Sequence, residues 1–133
     1  MSTTIDLSFN GGYKVTAAIG PHEIPVDLPS DEGGEDTGPT PSDLFLASLA
    51  TCSAIYFREL CRARNIPTEG MAFRSTAHYD EKEKRYTRIV SDLTLPPGFP
   101  EKYRPVVLRM IDSCFVKNQI DHPPELETNL IPS

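Results

Sequence analysis

A chain of 133 residues, 38% hydrophobic and 24% charged, is the right size and composition for one folded domain, expected to span residues 1–133, and is unlike a disordered segment. Its net charge of −6 argues against nucleic-acid binding, which draws on clustered Lys and Arg. The three Cys (52, 61 and 114) include no CxxC pair, which excludes a disulfide scaffold or zinc ribbon and makes the reducing cytosol the expected compartment. No basic-then-apolar leader opens the chain, and its longest charge-free apolar run, Leu44 to Phe57, is too short to span a bilayer, so neither export nor membrane insertion is expected.

Thr3 to Phe9 alternates loosely between apolar and polar residues and predicts a strand. Asn10-Gly11-Gly12 is a hairpin turn, because Asn and Gly tolerate positive φ, and Tyr13 to Ile19 is the return strand. Gly20-Pro21 turns the chain again. His22 to Leu28 reads as a third strand, at a sheet edge because Pro25 has no N–H for a ladder. Pro29 to Pro41 is a loop rich in Gly and Pro that carries Asp31, Glu32, Glu35 and Asp36. No Lys or Arg occurs between Lys14 and Arg58. The loop reads as solvated and mobile, or else as a lid or partner-facing segment.

Thr40-Pro41-Ser42-Asp43 is a helix start: Thr40 as N-cap, Pro41 in the first turn, and Asp43 in an acidic analogue of the capping box. The helix is expected to run to about Arg64, ended by Asn65 and Pro67. Its first two-thirds are apolar nearly all round, which implies burial on most sides. One sheet and one other helix hardly suffice to cover it, so a partner subunit is expected on its open side. Gly70 to Tyr79 and Tyr86 to Leu95 form a hairpin across a charged turn, Asp80 to Arg85. After Pro96-Pro97-Gly98-Phe99-Pro100, a second helix from about Glu101 to Lys117 presents residues 103, 107, 110, 111 and 114 on one face. Leu126 to Ile131 is expected as a last edge strand. The order βββ-α-ββ-α-β implies an α+β fold with an antiparallel sheet.

Cys52 lies in the middle of the long helix. Cys61 is nine positions further, on the opposite face and roughly 13.5 Å along the axis, so the two cannot join within a straight helix. A redox partner for Cys52 within the chain is therefore Cys114, on the apolar face of its own helix. Two thiols aimed at one core are either inert or a redox pair. Cys61, with Arg58, Arg62 and Arg64 around it, reads as an ordinary residue of a basic helix end. Asp43, nine residues before Cys52, is placed to favour the helix N-terminus. The three His (22, 78 and 122) have no metal-ligand spacing, and no phosphate loop or nucleophile elbow is present, so no metal or cofactor is expected.

Gly33-Gly34, the run Gly38-Pro39-Thr40-Pro41-Ser42-Asp43-Leu44 leading to Cys52, the hairpin around Arg85-Tyr86-Thr87-Arg88-Ile89, Cys114-Phe115-Val116 and Pro123-Pro124-Glu125 together resemble the OsmC/Ohr proteins. The resemblance covers most of the chain. It implies an intertwined homodimer with sites at the subunit interface. It also implies a peroxidatic Cys52 that attacks an organic hydroperoxide, a resolving Cys114 that condenses with the sulfenic acid, and a thiol reductant of unknown identity to reopen the disulfide. Asp43 is the third expected site residue, one position after the place of the family's Glu, which here is Ser42. The family's peroxidases hold the thiolate with an Arg of the N-terminal strands. This chain has no Arg before Arg58, which leaves Lys14, His22 or an Arg of the 85–88 hairpin as substitutes. The contrasting expectation is a non-enzymatic dimer that binds a small apolar ligand and keeps inert Cys.

Overall fold

The computed structural model describes Met1–Ser133. It divides into two compact units, Met1–Ala47 and Ser48–Ser133, with the boundary inside the long helix.

In the first unit, β1 (Asp6–Phe9), β2 (Val15–Ile19) and β3 (His22–Val26) form an antiparallel sheet in the order β1-β2-β3. The hairpin closes at Asn10 to Lys14, where the Asn10 N–H donates to the Lys14 carbonyl at 2.9 Å. Pro25 sits on β3, an edge strand as its missing N–H requires, opposite Thr16.

The acidic loop that follows is tied down, not free. Asp27, 1% exposed, accepts the N–H groups of Leu28, Glu35 and Thr37 at 2.8, 3.2 and 3.1 Å and the Thr37 hydroxyl at 2.7 Å. The Thr37 hydroxyl and these amides outweigh desolvation and hold its carboxyl at about 2. Packing this close leaves no room for side chains at two positions. A Cβ on Gly34 would lie 2.0 Å from the Leu28 carbonyl oxygen, and one on Gly38 2.4 Å from that of Pro25. Those glycines belong to the run that carried the resemblance.

The long helix, α1 (Pro41–Ala63), begins as its sequence implies. The Asp43 N–H donates to Thr40 Oγ1 at 3.1 Å, and the Thr40 N–H donates to Asp43 Oδ2 at 3.0 Å, the two halves of a capping box. At the other end Asn65 takes a left-handed conformation (φ 53°), the Ile66 N–H reaches back to the Cys61 carbonyl at 2.8 Å and the Asn65 N–H to that of Arg62 at 3.3 Å. This Schellman closure ends the helix.

The second unit is built on the hairpin β4 (Ala72–Asp80) and β5 (Arg85–Thr94), paired antiparallel with a bulge at His78/Tyr79. Its core gathers Phe57, Leu60 and Cys61 of α1 with Phe99 and Val107, and the Phe57 and Phe99 rings lie 5.8 Å apart. Burial along α1 is confined to those three residues. Phe45 is 43% and Ile55 59% exposed, so the expected burial on most sides does not occur within one chain. By length and mean hydropathy the 23-residue helix could also cross a membrane, contrary to expectation. The difference arises because it continues past the charge-free run through Arg58, Glu59 and Arg62, and the core packing of its last turns is that of a globular domain's helix.

The second predicted helix is two helices. A 3₁₀ turn at Glu101–Tyr103 leads into α2 (Arg104–Asp112), and α3 (Phe115–Asp121) follows after a break. At the break the Ser113 hydroxyl bonds to the Met110 carbonyl at 2.8 Å, a side-chain alternative to helix continuation. Cys114 is extended there (φ −52°, ψ 134°). No strand follows α3. Residues 122–133 have no regular structure, and Leu126, Leu130 and Ile131 are exposed instead of lying along a sheet edge.

Candidate functional site

Cys52 and Cys114 meet. Their thiols are close enough to perturb one another's ionisation, both sulfurs are free, and Cys114 is fully buried while Cys52 keeps partial exposure. The helical phase of Cys52 turns it to this contact. Cys114 reaches it from the break between α2 and α3, not from a helix face as its spacing suggests.

Burial pushes the Cys52 thiol up and the neighbouring Cys114 pushes it further, outweighing the Val116 and Phe115 amides. Burial works against the Cys114 thiolate too, but Cys52, the amides of Lys117 and Val116 and the Ser53 hydroxyl favour it. Together they hold Cys114 below the ordinary thiol value. The two thiols are thus pushed in opposite directions, Cys52 up and Cys114 down.

Beside the pair the second unit opens a cavity of about 780 Å³. Its wall is largely apolar, with Leu49, Phe73, Ile89, Leu93 and Ile111 on it. Ser53, Asp112 and Lys117 add polar points. The volume suits a small organic ligand. Neither sulfur lies on the wall, but the Ser53 hydroxyl and the Lys117 amide, on residues that do, favour the Cys114 thiolate.

Other predicted residues sit elsewhere. Asp43 uses its carboxylate to cap α1. Lys14 is ion-paired with Glu35. Arg85 is paired with Glu83 at 3.1 Å in the β4–β5 turn. Cys61 is fully buried in the core, its thiol pushed up by burial, which corrects the reading of an exposed basic helix end. Its spacing from Phe57 and Leu60, four and one residues back, puts it on their face. Ser53 and Lys117 were not foreseen. The legible signal for Lys117 is a Lys three residues after a Cys at a helix start.

No curated protein matches the chain at a significant level. Among solved structures, it is similar to a protein from Psychrobacter arcticus 273-4 provisionally assigned to the osmotic stress induced and detoxification response, with 23% identity, TM-score 0.77, and 92% of this chain and 90% of that one covered. An OsmC like protein from Mycoplasma pneumoniae aligns at 16% identity and TM-score 0.73, covering 92% and 89% of the two chains. An organic hydroperoxide resistance protein OsmC from Legionella pneumophila aligns at 21% identity and TM-score 0.61, covering 90% and 89%. These likenesses establish the α+β fold. Residues 33–129, from the loop glycines through both paired cysteines, match the OsmC-like protein family, and the chain belongs to it.

Proposed function

We propose that the protein reduces organic hydroperoxides with a pair of thiols, Cys52 attacking and Cys114 resolving. The observation that carries this reading is a pair of free thiols close enough to perturb one another, beside a largely apolar cavity. Cys52 attacks because it is the more exposed sulfur. Its proton passes to Cys114 as its sulfur attacks the outer peroxide oxygen. The O–O bond breaks, leaving a sulfenic acid on Cys52 and an alkoxide that recovers the proton as an alcohol. The Cys114 thiolate then attacks the Cys52 sulfur, and the departing hydroxide takes a proton from solvent to become water. The peroxide gains two electrons and the thiols lose two, ending as a disulfide that a thiol reductant must reopen.

In this reading residues 1–133 act as one domain, no metal or cofactor takes part, and Asp43 contributes by fixing the start of the helix that carries Cys52. The working form is a cytosolic homodimer. Large apolar side chains left open on one chain, among them Leu7, Phe9, Phe45 and Ile55, support a second copy as the cover.

The test is stoichiometric cumene hydroperoxide on the reduced protein, with free thiols counted over minutes. Loss of two thiols per chain, abolished in Cys52→Ser, is expected. An unchanged thiol count refutes the reading. A second reading, a non-enzymatic carrier of an apolar ligand, draws on one observation: neither sulfur lies on the cavity wall. A saturable apolar probe bound by a protein whose thiols stay reduced would favour it.

A further inference from the structure

The 780 Å³ cavity of the second unit is walled by elements whose residue spacing aims them at one space. Ile89, Ser91 and Leu93 alternate along β5 and so share one sheet face, with Phe73 of β4 opposite Leu93. Arg104, Leu108 and Ile111 recur at helical spacing on α2, as Lys117, Ile120 and Asp121 do on α3. Leu108 and Ile120 remain 69% and 48% exposed there, apolar surface left open to an occupant. The charged groups on the wall are Arg104, Asp112, Lys117 and Asp121. Glu101 Oε1 holds Arg104 Nη1 at 3.0 Å, and Asp112 Oδ1 holds Lys117 Nζ at 2.8 Å. Asp121 adds a second negative charge near Lys117.

We infer that this cavity selects uncharged apolar molecules over those that end in an anion. Both of its cations are already engaged, and the carboxylates of Glu101, Asp112 and Asp121 outnumber them. An incoming carboxylate or sulfonate has to displace a side chain that stays tethered within reach, and it meets Asp121 besides. The two ion pairs are exposed and therefore weak, but the water that weakens them weakens the attraction for a ligand's anion equally. An apolar body meets no such opposition and gains by covering Leu108 and Ile120. For the thiol-peroxidase reading, on which this last step rests, the substrate is then an uncharged organic hydroperoxide and not one that carries an ionised carboxylate.

Two fluorescent probes of one skeleton test this without turnover: uncharged phenylnaphthylamine and the anion anilinonaphthalene sulfonate. Each is titrated into the reduced wild type and into the double variant Glu101→Gln, Asp112→Asn, which strips Arg104 and Lys117 of their partners. The uncharged probe is expected to saturate and to bind both proteins alike. The sulfonate is expected to bind the wild type more weakly than the uncharged probe and to gain roughly threefold to tenfold in the double variant, what two exposed charges supply. Ser91→Trp, which fills the space, and Leu108→Gln, which removes apolar wall, are both at exposed positions, and each is expected to weaken the uncharged probe with Tm kept. A sulfonate that binds the wild type as tightly as the uncharged probe, or gains nothing in the double variant, overturns the inference. So does an uncharged probe that ignores both Ser91→Trp and Leu108→Gln, or that fails to bind because a second copy fills the space. Consumption of one long-chain hydroperoxide is then compared as free acid and as methyl ester, the ester being expected to react faster. If neither is consumed while the probes behave as expected, the selectivity stands and the peroxidase reading falls. If both are consumed alike and the sulfonate binds as tightly as its uncharged counterpart, the reverse holds.

Discussion

Of the three thiols, Cys61 is expected to be inert. It is 0% exposed and packed among Phe57, Leu60, Phe99 and Val107, and the Schellman closure anchored on its own carbonyl keeps the end of α1 from fraying. A reagent reaches it only when this core opens. If opening costs about 5 kcal/mol, the lower end for a single domain, its alkylation is slowed roughly 5,000-fold relative to a free thiol. Burial also pushes the Cys61 thiol pKa up, although Arg58 offsets part of that, so its thiolate is scarcer still near neutrality. The assay is native labelling with iodoacetamide, quenched at intervals and resolved by peptide mass spectrometry. Cys52 should label first and Cys61 only after denaturation. After one equivalent of cumene hydroperoxide, the thiol that survives should be Cys61. Labelling of Cys61 at a rate comparable to Cys52, or its recovery in a disulfide, would refute both the assignment of the redox pair and the reasoning from burial.

Two further outcomes test the frame that holds the pair. Phe57→Ala empties a fully buried ring site and loses the contact with Phe99; a cost of about 3–5 kcal/mol should lower Tm by roughly 10–18 °C in a domain of this length, read by calorimetry. Asp27 has its carboxyl lowered from 3.8 to about 2, so its contribution is complete above the unfolded value and disappears as pH falls through the folded one. Chemical denaturation of Asp27→Asn should therefore show lower stability than wild type at neutral pH and a shallower decline between those two values.

The first half of the fold was legible because its signals are local. Asn10-Gly11-Gly12 sets a hairpin, Pro25 selects an edge, and Thr40 to Asp43 write a capping box, each acting within four residues. Asp27 was not legible. A lone acid after a strand reads as solvent-facing, and only the return of Glu35 and Thr37 through a Gly-rich loop gives it its donors. The break at Ser113 escaped for a related reason. No Pro or Gly marks it, and the apolar period 103, 107, 110, 111 runs on to 114, so a pattern of spacing saw one helix where a serine hydroxyl ends it. Leu126 to Ile131 has strand-like composition, but a strand needs a neighbour to pair with, and none is offered within the chain.

That hidden break matters most for the chemistry. Had the helix continued through 114, that sulfur would sit on a helix face among Val107 and Met110, in the apolar core that makes Cys61 inert. Ending α2 at Asp112, two residues earlier, leaves the backbone extended at Cys114, and the following Val116 and Lys117 amides favour its thiolate. The same cysteine side chain, buried to the same degree as Cys61, thereby acquires the opposite tendency: burial alone raises one thiol, while burial with converging donors lowers the other. Cys52 is pushed the other way, up, and stays partly open to an incoming oxidant.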